Sequence, residues 1–143
     1  MESPRPLAEL ADAIATGRET AAATLERALM GTEEAPDAHT AVFAGTARAQ
    51  AAACDRLIAA GAPAGPLGGV PVSLKALFDV AGRVTHAGFP GARRYRRQRG
   101  MRPRSRGWPP GRGGVCTGHT VMTEFAYSGL GLNPHYRHPR KPP

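Results

Sequence analysis

The chain contains very little lysine. Only Lys75 and Lys141 are lysines, whereas 17 of its 19 basic residues are arginines. Arginine stays protonated in proteins, but a desolvated lysine can lose its proton near neutral pH. Lys75 lies in the apolar stretch "GGVPVSLKALFDVAG", residues 68–82, so the sequence predicts a buried amine that acts as a base. The apolar residues expected to surround this amine are Val70, Val72, Leu74, Leu77 and Phe78.

Long apolar runs and clustered cysteines are also missing. No run approaches the roughly 18 apolar residues of a membrane-spanning helix, so no membrane span is expected. The opening "MESPRPLAELADA" has acidic residues where a secretory leader has cationic ones, and no apolar segment follows. A signal peptide is therefore not expected. Cys54 and Cys116 stand far apart, which excludes a dense disulfide framework and favours a cytoplasmic protein.

Positive charge is concentrated in one segment. The formal net charge is +8, yet nine arginines and no acidic residue lie between Ala92 and Gly114. Without those nine arginines the chain carries a net charge of about −1, so the high charge does not describe the whole protein. The segment over residues 91–114 shows neither helical nor strand periodicity and is predicted to be irregular.

The rest of the chain has the pattern of an α/β fold. Apolar residues recur at helical spacing in three segments, and short apolar runs indicate strands. Gly17 and Gly31 follow two of the helical segments and are predicted to end them. Helices packed on buried strands define an α/β domain. The predicted helices cover residues 6–16, 21–30 and 46–61, and the predicted strands cover residues 41–44, 70–74, 84–87 and 115–118.

Two motifs resemble those of the amidase signature family. The stretch "GPLGGVPVSLKALFDVAGRVTHAG" is similar to the family pattern GPLxGxPxxxKDxxDVxGxxTxxG, and "MTEFAYSGLGLNPHY" is similar to NMxEFAxSGxGxNxxYG. The resemblance covers about residues 5–90 and 115–140, and it includes amidotransferase A subunits as well as free amidases. It implies the N-terminal part of an amidase-signature fold, in which helices pack on a mixed sheet.

The resemblance also implies an activity. Members of the family hydrolyse a carboxamide to a carboxylate and ammonia or an amine, using a serine, a cis-serine and a lysine. The family lysine corresponds to Lys75, which implies that its neutral amine draws a proton through the cis-serine from the nucleophile. No metal or organic cofactor is implied, and the implied substrate is a small amide. The residues expected to border this substrate are Gly129, Leu130 and Gly131.

The chain departs from the family at several points, of which two concern the catalytic groups. The Gly/Ser-rich stretch of the form GGSSSG, which carries both family serines, does not occur before Pro143. We therefore expect a truncated amidase domain that is inactive alone. It is either a fragment or the product of a degraded or mis-called gene, or it needs a separate polypeptide to supply the serines. The second departure is Ala76, which stands where the family has an aspartate directly after the lysine.

The arginine-rich segment divides the expected domain into parts. In the family this interval usually holds an alanine-rich helix, and GC-rich alanine codons read in a shifted frame encode arginine, proline and glycine. We interpret residues 91–114 as a frame-shifted segment between residues 5–90, which hold the helices and the lysine strand, and residues 115–143, which hold the second motif.

Two other classes of function fit parts of the sequence. The segment "RRYRRQRGMRPRSRGW" interleaves aromatic residues with arginines, as RNA-binding segments do, and would attract nucleic acid without sequence preference. The second alternative is a small zinc-binding protein, because a Cys-x-x-His pair and a His-x-x-His pair have ligand-like spacing. These four residues are Cys116, His119, His135 and His138.

Overall fold

The structure is a computed structural model that describes residues 5–91 and 113–139. These residues form an α/β fold with three α-helices and three strands, which confirms the predicted fold class. None of the described helices is long and apolar enough to cross a membrane. The elements are α1 (Leu7–Ala15), α2 (Ala21–Glu34), β1 (His39–Val42), α3 (Ala44–Ala59), β2 (Pro71–Lys75) and β3 (Val115–Thr120).

The three strands form a mixed sheet in the order β1-β3-β2. Strand β1 runs antiparallel to β3, and its Val42 pairs with Gly118. Strand β2 runs parallel to β3, because the Val115 amide donates to the Val70 carbonyl at one end and the Ala76 amide donates to the Thr120 carbonyl at the other. The central position therefore belongs to β3, while β1 and β2 are the edges of the described sheet.

The chain divides into two compact units. The first, called here the helical unit, contains the described residues 5–31, 43–72 and 113–117. The second, called here the loop unit, contains the described residues 32–42, 73–91 and 118–139. The names reflect their content, since most of the helical residues lie in the first unit and most of the irregular segments lie in the second.

An apolar core holds the helical unit together. Gly69, which precedes β2, lies so close to α2 that a Cβ atom built on it would be 2.5 Å from the Cβ of Ala21. Gly69 also has a φ of +75°, a conformation that favours glycine, so its small size and its backbone freedom are both needed. The buried members of this core are Ile14, Ala21, Leu25, Leu29, Ala47, Ala51, Cys54, Val70 and Val115.

Two polar side chains of α3 connect this helix to other elements of the helical unit. The carboxylate of Asp55 accepts hydrogen bonds from the amides of Ala21 and Ala22 at 2.7 and 3.1 Å, which caps the start of α2. The side-chain oxygen of Gln50 accepts a hydrogen bond of 3.0 Å from the Cys116 amide in β3. In both contacts, backbone amides donate hydrogen bonds to a side chain that is distant in the sequence.

All three predicted helices are present, but their ends differ from the prediction by up to four residues, and α3 spans Ala44–Ala59 instead of residues 46–61. The face of α3 formed by Ala47, Ala51 and Cys54 is buried, as its spacing predicts. The prediction that Gly31 ends α2 was wrong, because α2 continues to Glu34. An isolated glycine weakens a helix by only about 1 kcal/mol, and the buried Leu29 holds the preceding turn in the core.

The strand predictions were less accurate. The strand expected over residues 41–44 is β1 at His39–Val42, because Ala44 already begins α3. The strand expected over residues 84–87 is absent, because residues 84–86 are irregular and Ala87 lies in a turn. Within this segment Thr85 donates a hydrogen bond to the Asp79 carboxylate. Nearly all of the arginine-rich segment, residues 92–112, lies outside the described residues, so its predicted irregularity stays a prediction.

Candidate active site

The candidate catalytic lysine is the last residue of β2. Its side chain is exposed, as is that of Ser73, and Leu74 between them is buried. The prediction of a buried amine at this position was therefore wrong for the described residues. The pattern of apolar residues does not distinguish a central strand from an edge strand, and β2 lies at an edge of the described sheet.

The apolar neighbours of Lys75 divide into buried and exposed groups. Val70 and Leu74 are buried, but Leu77 and Phe78 are 44% and 57% exposed. The prediction that these two residues bury the lysine was wrong.

Ala76 begins a series of backbone contacts beside the lysine. The Ala87 amide donates to the Ala76 carbonyl at 2.9 Å, and the Phe125 amide donates to the Ala87 carbonyl at 2.7 Å. These bonds place the end of β2 next to two loops that belong to the two sequence motifs. The methyl side chain of Ala76 itself is fully buried.

Asn133 connects the same loops from the interior of the loop unit. Its side chain is 1% exposed, and its Nδ2 donates to the carbonyls of Gly88 and Met122, both at 2.7 Å. Its Oδ1 accepts a hydrogen bond of 2.8 Å from the amide of His135. Sequence reasoning missed this role, although an asparagine between apolar residues of a glycine-rich loop is a signal for such an internal connection.

Gly88 fits closely beneath that asparagine. A Cβ atom at this position would lie 2.8 Å from the Thr123 carbonyl oxygen and 2.9 Å from Nδ2 of Asn133. The residue also has a φ of +76°. The glycine that closes the first motif is thus required by close backbone approach within the loop unit.

The expected substrate-bordering residues lie on the surface of the loop unit. Gly129 and Leu130 are exposed, the latter by 79%, and Gly131 turns the chain with a φ of +69°. A shallow depression of about 370 Å³ lies in the same loop region, but its lining does not include these three residues. It is lined by Thr123, Glu124, Phe125, Tyr127, Ser128, Leu132 and Pro134.

A carboxylate and an imidazole pair at the side of this depression. Oε1 of Glu124 lies 2.8 Å from Nε2 of His135, and both side chains are 37% exposed. The His135 ring also contacts Phe89 edge-on, with 5.8 Å between ring centroids. These contacts orient the loop, and no described nucleophile is in hydrogen-bond contact with the imidazole.

The four residues proposed as zinc ligands do not form a zinc site. Cys116 is buried in β3, and His138 is exposed. His135 contacts Glu124 instead, while His119 is buried in β3. Among residues 5–91 and 113–139, no three His, Cys, Asp or Glu side chains are grouped to hold a metal ion.

His119 lies in a charged environment within the loop unit. Burial lowers its pKa most, and the positive charges of His86 and Arg83 act in the same direction. A hydrogen bond with the Phe78 backbone and the carboxylate of Asp79 oppose this change without reversing it. The imidazole is therefore kept neutral by its surroundings.

A protein-family model agrees with the two motifs and the geometry. The family model described as Amidase matches residues 19–143. The chain therefore belongs to the amidase family. The match includes the strand that carries Lys75 and the loop that carries Asn133.

Three curated proteins are similar to this chain in sequence. The chain is 33% identical to the 1-carboxybiuret hydrolase subunit AtzE of Pseudomonas sp. (strain ADP), over 94% of this chain and 30% of that protein. It is 39% identical to an amidase of Pseudomonas putida, over 78% of this chain and 22% of that protein. It is 36% identical to the 2-amino-5-chloromuconic acid deaminase of Comamonas testosteroni, over 67% of this chain and 20% of that protein.

The fold is shared with solved amidases. One similar structure is an inhibitor-bound complex described as vestigial and as revealing the origins of an s-triazine catabolic enzyme. It matches with a TM-score of 0.77 and 33% identity, over 92% of this chain and 29% of that one. A crystal structure of an amidase matches with a TM-score of 0.69 and 28% identity, over 91% of this chain and 30% of that one. The chain thus spans 20–30% of the length of the curated relatives it matches.

Proposed function

We propose that this chain is the lysine-bearing part of a cytoplasmic hydrolase that converts a small carboxamide and water into a carboxylate and ammonia or an amine. The observation that carries the proposal is the position of Lys75. The lysine of the family motif ends an edge strand, and its side chain is accessible beside two loops of the loop unit. An amine in that position can exchange protons with groups that approach from outside the described chain.

The proposed reaction needs a nucleophile that the described residues do not supply. In our proposal the hydroxyl of a serine on another segment attacks the amide carbonyl, and its proton passes through a second serine to the amine of Lys75. The same proton then goes to the leaving nitrogen, and water releases the acyl group as a carboxylate. Arginine cannot perform this transfer, because its guanidinium keeps its proton.

The names of the relatives support a small substrate. The relative from Pseudomonas sp. is called a hydrolase of 1-carboxybiuret, and the relative from Comamonas testosteroni is called a deaminase of 2-amino-5-chloromuconic acid. Both named compounds are small carboxylic acids that carry nitrogen. We propose a substrate of this kind, a small amide with a nearby carboxylate.

The test measures ammonia release. The chain is produced together with the part of AtzE outside the matched segment, and purified material is assayed with a panel of small amides with and without a carboxylate. We expect Lys75→Ala and Lys75→Arg to reduce kcat by at least about 100-fold, the usual contribution of a general base. The matched control is Lys141→Arg, which changes the only other lysine.

The two variants at position 75 separate charge from proton transfer. Arginine keeps the positive charge and removes the titratable amine, so equal loss in both variants supports a proton-transfer role. Full activity in Lys75→Arg would contradict the proposal, because it would show that only the charge matters.

A further inference from the structure

Residues 76–87, called here the lysine loop, form a loop whose two ends are joined. The Ala87 amide donates to the Ala76 carbonyl at 2.9 Å, so the loop begins directly after Lys75 and returns to the same place. Of its residues, Ala76 alone is buried. The loop therefore has no apolar core of its own, and its conformation depends on contacts with neighbouring elements.

Two adjacent residues of β3 hold the start of this loop. The Ala76 amide donates to the Thr120 carbonyl at 3.2 Å. The ring of His119 forms a hydrogen bond with the Phe78 backbone. The Phe78 amide in turn donates to the Lys75 carbonyl at 2.9 Å, which closes a turn that begins at the candidate catalytic lysine. This turn is thus attached to β3 by one backbone bond and by one side chain.

The His119 ring is the donor in its bond with Phe78. The bond acts to raise the pKa of the ring, against the larger effect of burial. A bond from a ring N–H to a backbone carbonyl acts in this direction, and a neutral imidazole carries one such N–H. The ring is 1% exposed, so water does not take its place as the donor. The contact with the loop therefore depends on the side chain at this position.

The backbone of His119 is itself held from the other side by β1. His119 pairs with Ala41 in the register of β1 and β3. Its carbonyl accepts a hydrogen bond of 3.3 Å from the Thr40 hydroxyl. Because β3 is the central strand of the described sheet, the ring extends from a fixed backbone and can restrain a loop that has few contacts of its own.

Charged groups of the lysine loop surround this ring. Among the described residues, the side chains that act on it are Asp79, Arg83 and His86. A proton added to His119 would create a buried charge that Arg83 and a protonated His86 repel and that Asp79 attracts. Burial and repulsion outweigh the attraction, since they keep the pKa of His119 below its ordinary value. We expect the loop to move away from a protonated ring, because the repelling groups belong to the loop.

We propose that His119 is the positioning residue of the lysine site. Its buried neutral ring holds the lysine loop in one conformation, together with the turn that begins at Lys75, and a proton on the ring releases the loop. His119 acts only through the backbone of Phe78. The inference rests on the proposed function, since it names what orients the amine of Lys75 for proton transfer.

The first experiment measures amide hydrogen exchange by NMR in the chain labelled with isotope-enriched phenylalanine. Of the 4 phenylalanines, Phe78 lies in the lysine loop, while the Phe43 amide donates to the Thr117 carbonyl of β3 at 2.7 Å. The variant His119→Leu replaces the ring with an apolar side chain and removes the donor. We expect exchange at Phe78 to rise at least about tenfold in this variant and exchange at Phe43 to stay within about twofold.

Two further variants separate the hydrogen bond from packing. His119→Gln keeps a side-chain N–H donor, so exchange at Phe78 should stay within about threefold of the unchanged chain at pH 7. Thr117→Val changes another buried polar residue of β3 and should leave Phe78 unaffected. Loss of packing would explain the exchange, and the proposal would be overturned, if His119→Gln behaved like His119→Leu or if Thr117→Val did.

The same measurement at pH 7 and at pH 5 tests the release of the loop. Amide exchange itself depends on pH, so the rate at Phe78 is divided by the rate at Phe43. We expect this ratio to rise as the pH falls in the unchanged chain and to stay constant in His119→Gln, which has no ring to protonate. A constant ratio in the unchanged chain would overturn the proposal. A rise that persists in His119→Gln but disappears in His86→Gln would also overturn it, because His86 would then be the titrating group.

The second experiment separates positioning from the proposed function. In the ammonia-release assay, His119→Leu should lower kcat at least about tenfold with KM within about twofold, and His119→Gln should retain most of kcat. Activity that depends on Lys75 but is equal in the unchanged chain and in His119→Leu would overturn the positioning role. No ammonia release from any variant, together with the expected exchange pattern, would refute the proposed function and support the hold of His119 on the loop.

Discussion

The helical unit and the loop unit are stabilised by different kinds of contact. The helical unit buries nine side chains in a common apolar cluster. The loop unit instead relies on side-chain hydrogen bonds to backbone groups, of which those of the buried Asn133 are the clearest example. The comparison indicates that the helical unit buries most of its apolar side chains itself, whereas the loop unit leaves many of its large apolar side chains exposed.

The largest predicted effect concerns the core of the helical unit. Leu25 is fully buried in the cluster, so Leu25→Ala should lower the free energy of unfolding by about 2–5 kcal/mol through lost burial and a cavity. The matched change in the loop unit, Leu132→Ala, removes a side chain that is 55% exposed and should cost less than about 0.5 kcal/mol. Denaturant unfolding measures both, and equal costs would abolish the contrast between the units.

The next effect concerns the polar connection in the loop unit. Asn133→Ala leaves the carbonyls of Gly88 and Met122 without the donor that Nδ2 provides, so we expect a loss of about 2 kcal/mol. The control is Gln50→Ala in the helical unit, which removes one hydrogen bond to the Cys116 amide and should cost about 1 kcal/mol. Amide hydrogen exchange at Phe125 and Ala87 should rise in the first variant alone, and unchanged exchange there would contradict the proposed connection.

The smallest effect is a pH dependence of the loop unit. Burial and the charges of His86 and Arg83 lower the pKa of His119 below its ordinary 6.5, so the folded chain holds the neutral ring. Below pH 6.5 the ring of His119 binds a proton more readily in the unfolded chain than in the folded chain. The free energy of unfolding therefore decreases as the pH falls from 6.5 through the pKa of the folded chain.

The measurement compares melting temperatures between pH 7 and pH 5. The decrease over this range should be smaller in His119→Gln than in the unchanged chain. His138→Gln, at an exposed position, should behave like the unchanged chain. An identical decrease in all three would show that another group accounts for the pH dependence.

The accuracy of sequence-based prediction differs between the two units for a physical reason. In the helical unit, residues at spacings of three and four share a face, so the buried face of α3 follows directly from the sequence. In the loop unit, the predicted strand over residues 84–87 was wrong, because residues 84–86 are irregular and the backbone of Ala87 bonds to Ala76 and Phe125. The roles of Gly88 and Asn133 depend on a pairing across 45 residues, which periodicity does not reveal.

For the candidate site, the sequence predicted the family correctly and the burial of two apolar residues wrongly. The motif around Lys75 together with the motif over residues 122–136 was sufficient to identify the amidase family, and the family match confirms that identification. The burial of Leu77 and Phe78 was predicted wrongly, because an apolar side chain beside a strand can face either a core or solvent. Local sequence does not distinguish these cases, since both require the same residue types.

The sequence by itself determined the fold class, the family and the lysine that the family chemistry would use, because helical periodicity and motif spacing are local properties. Only the tertiary structure decided that this lysine is exposed at an edge of the described sheet, that an internal asparagine joins the loops beside it, and that Leu77 and Phe78 are exposed. Exposure and pairing depend on which distant segments meet, and that is fixed by packing rather than by neighbours along the chain.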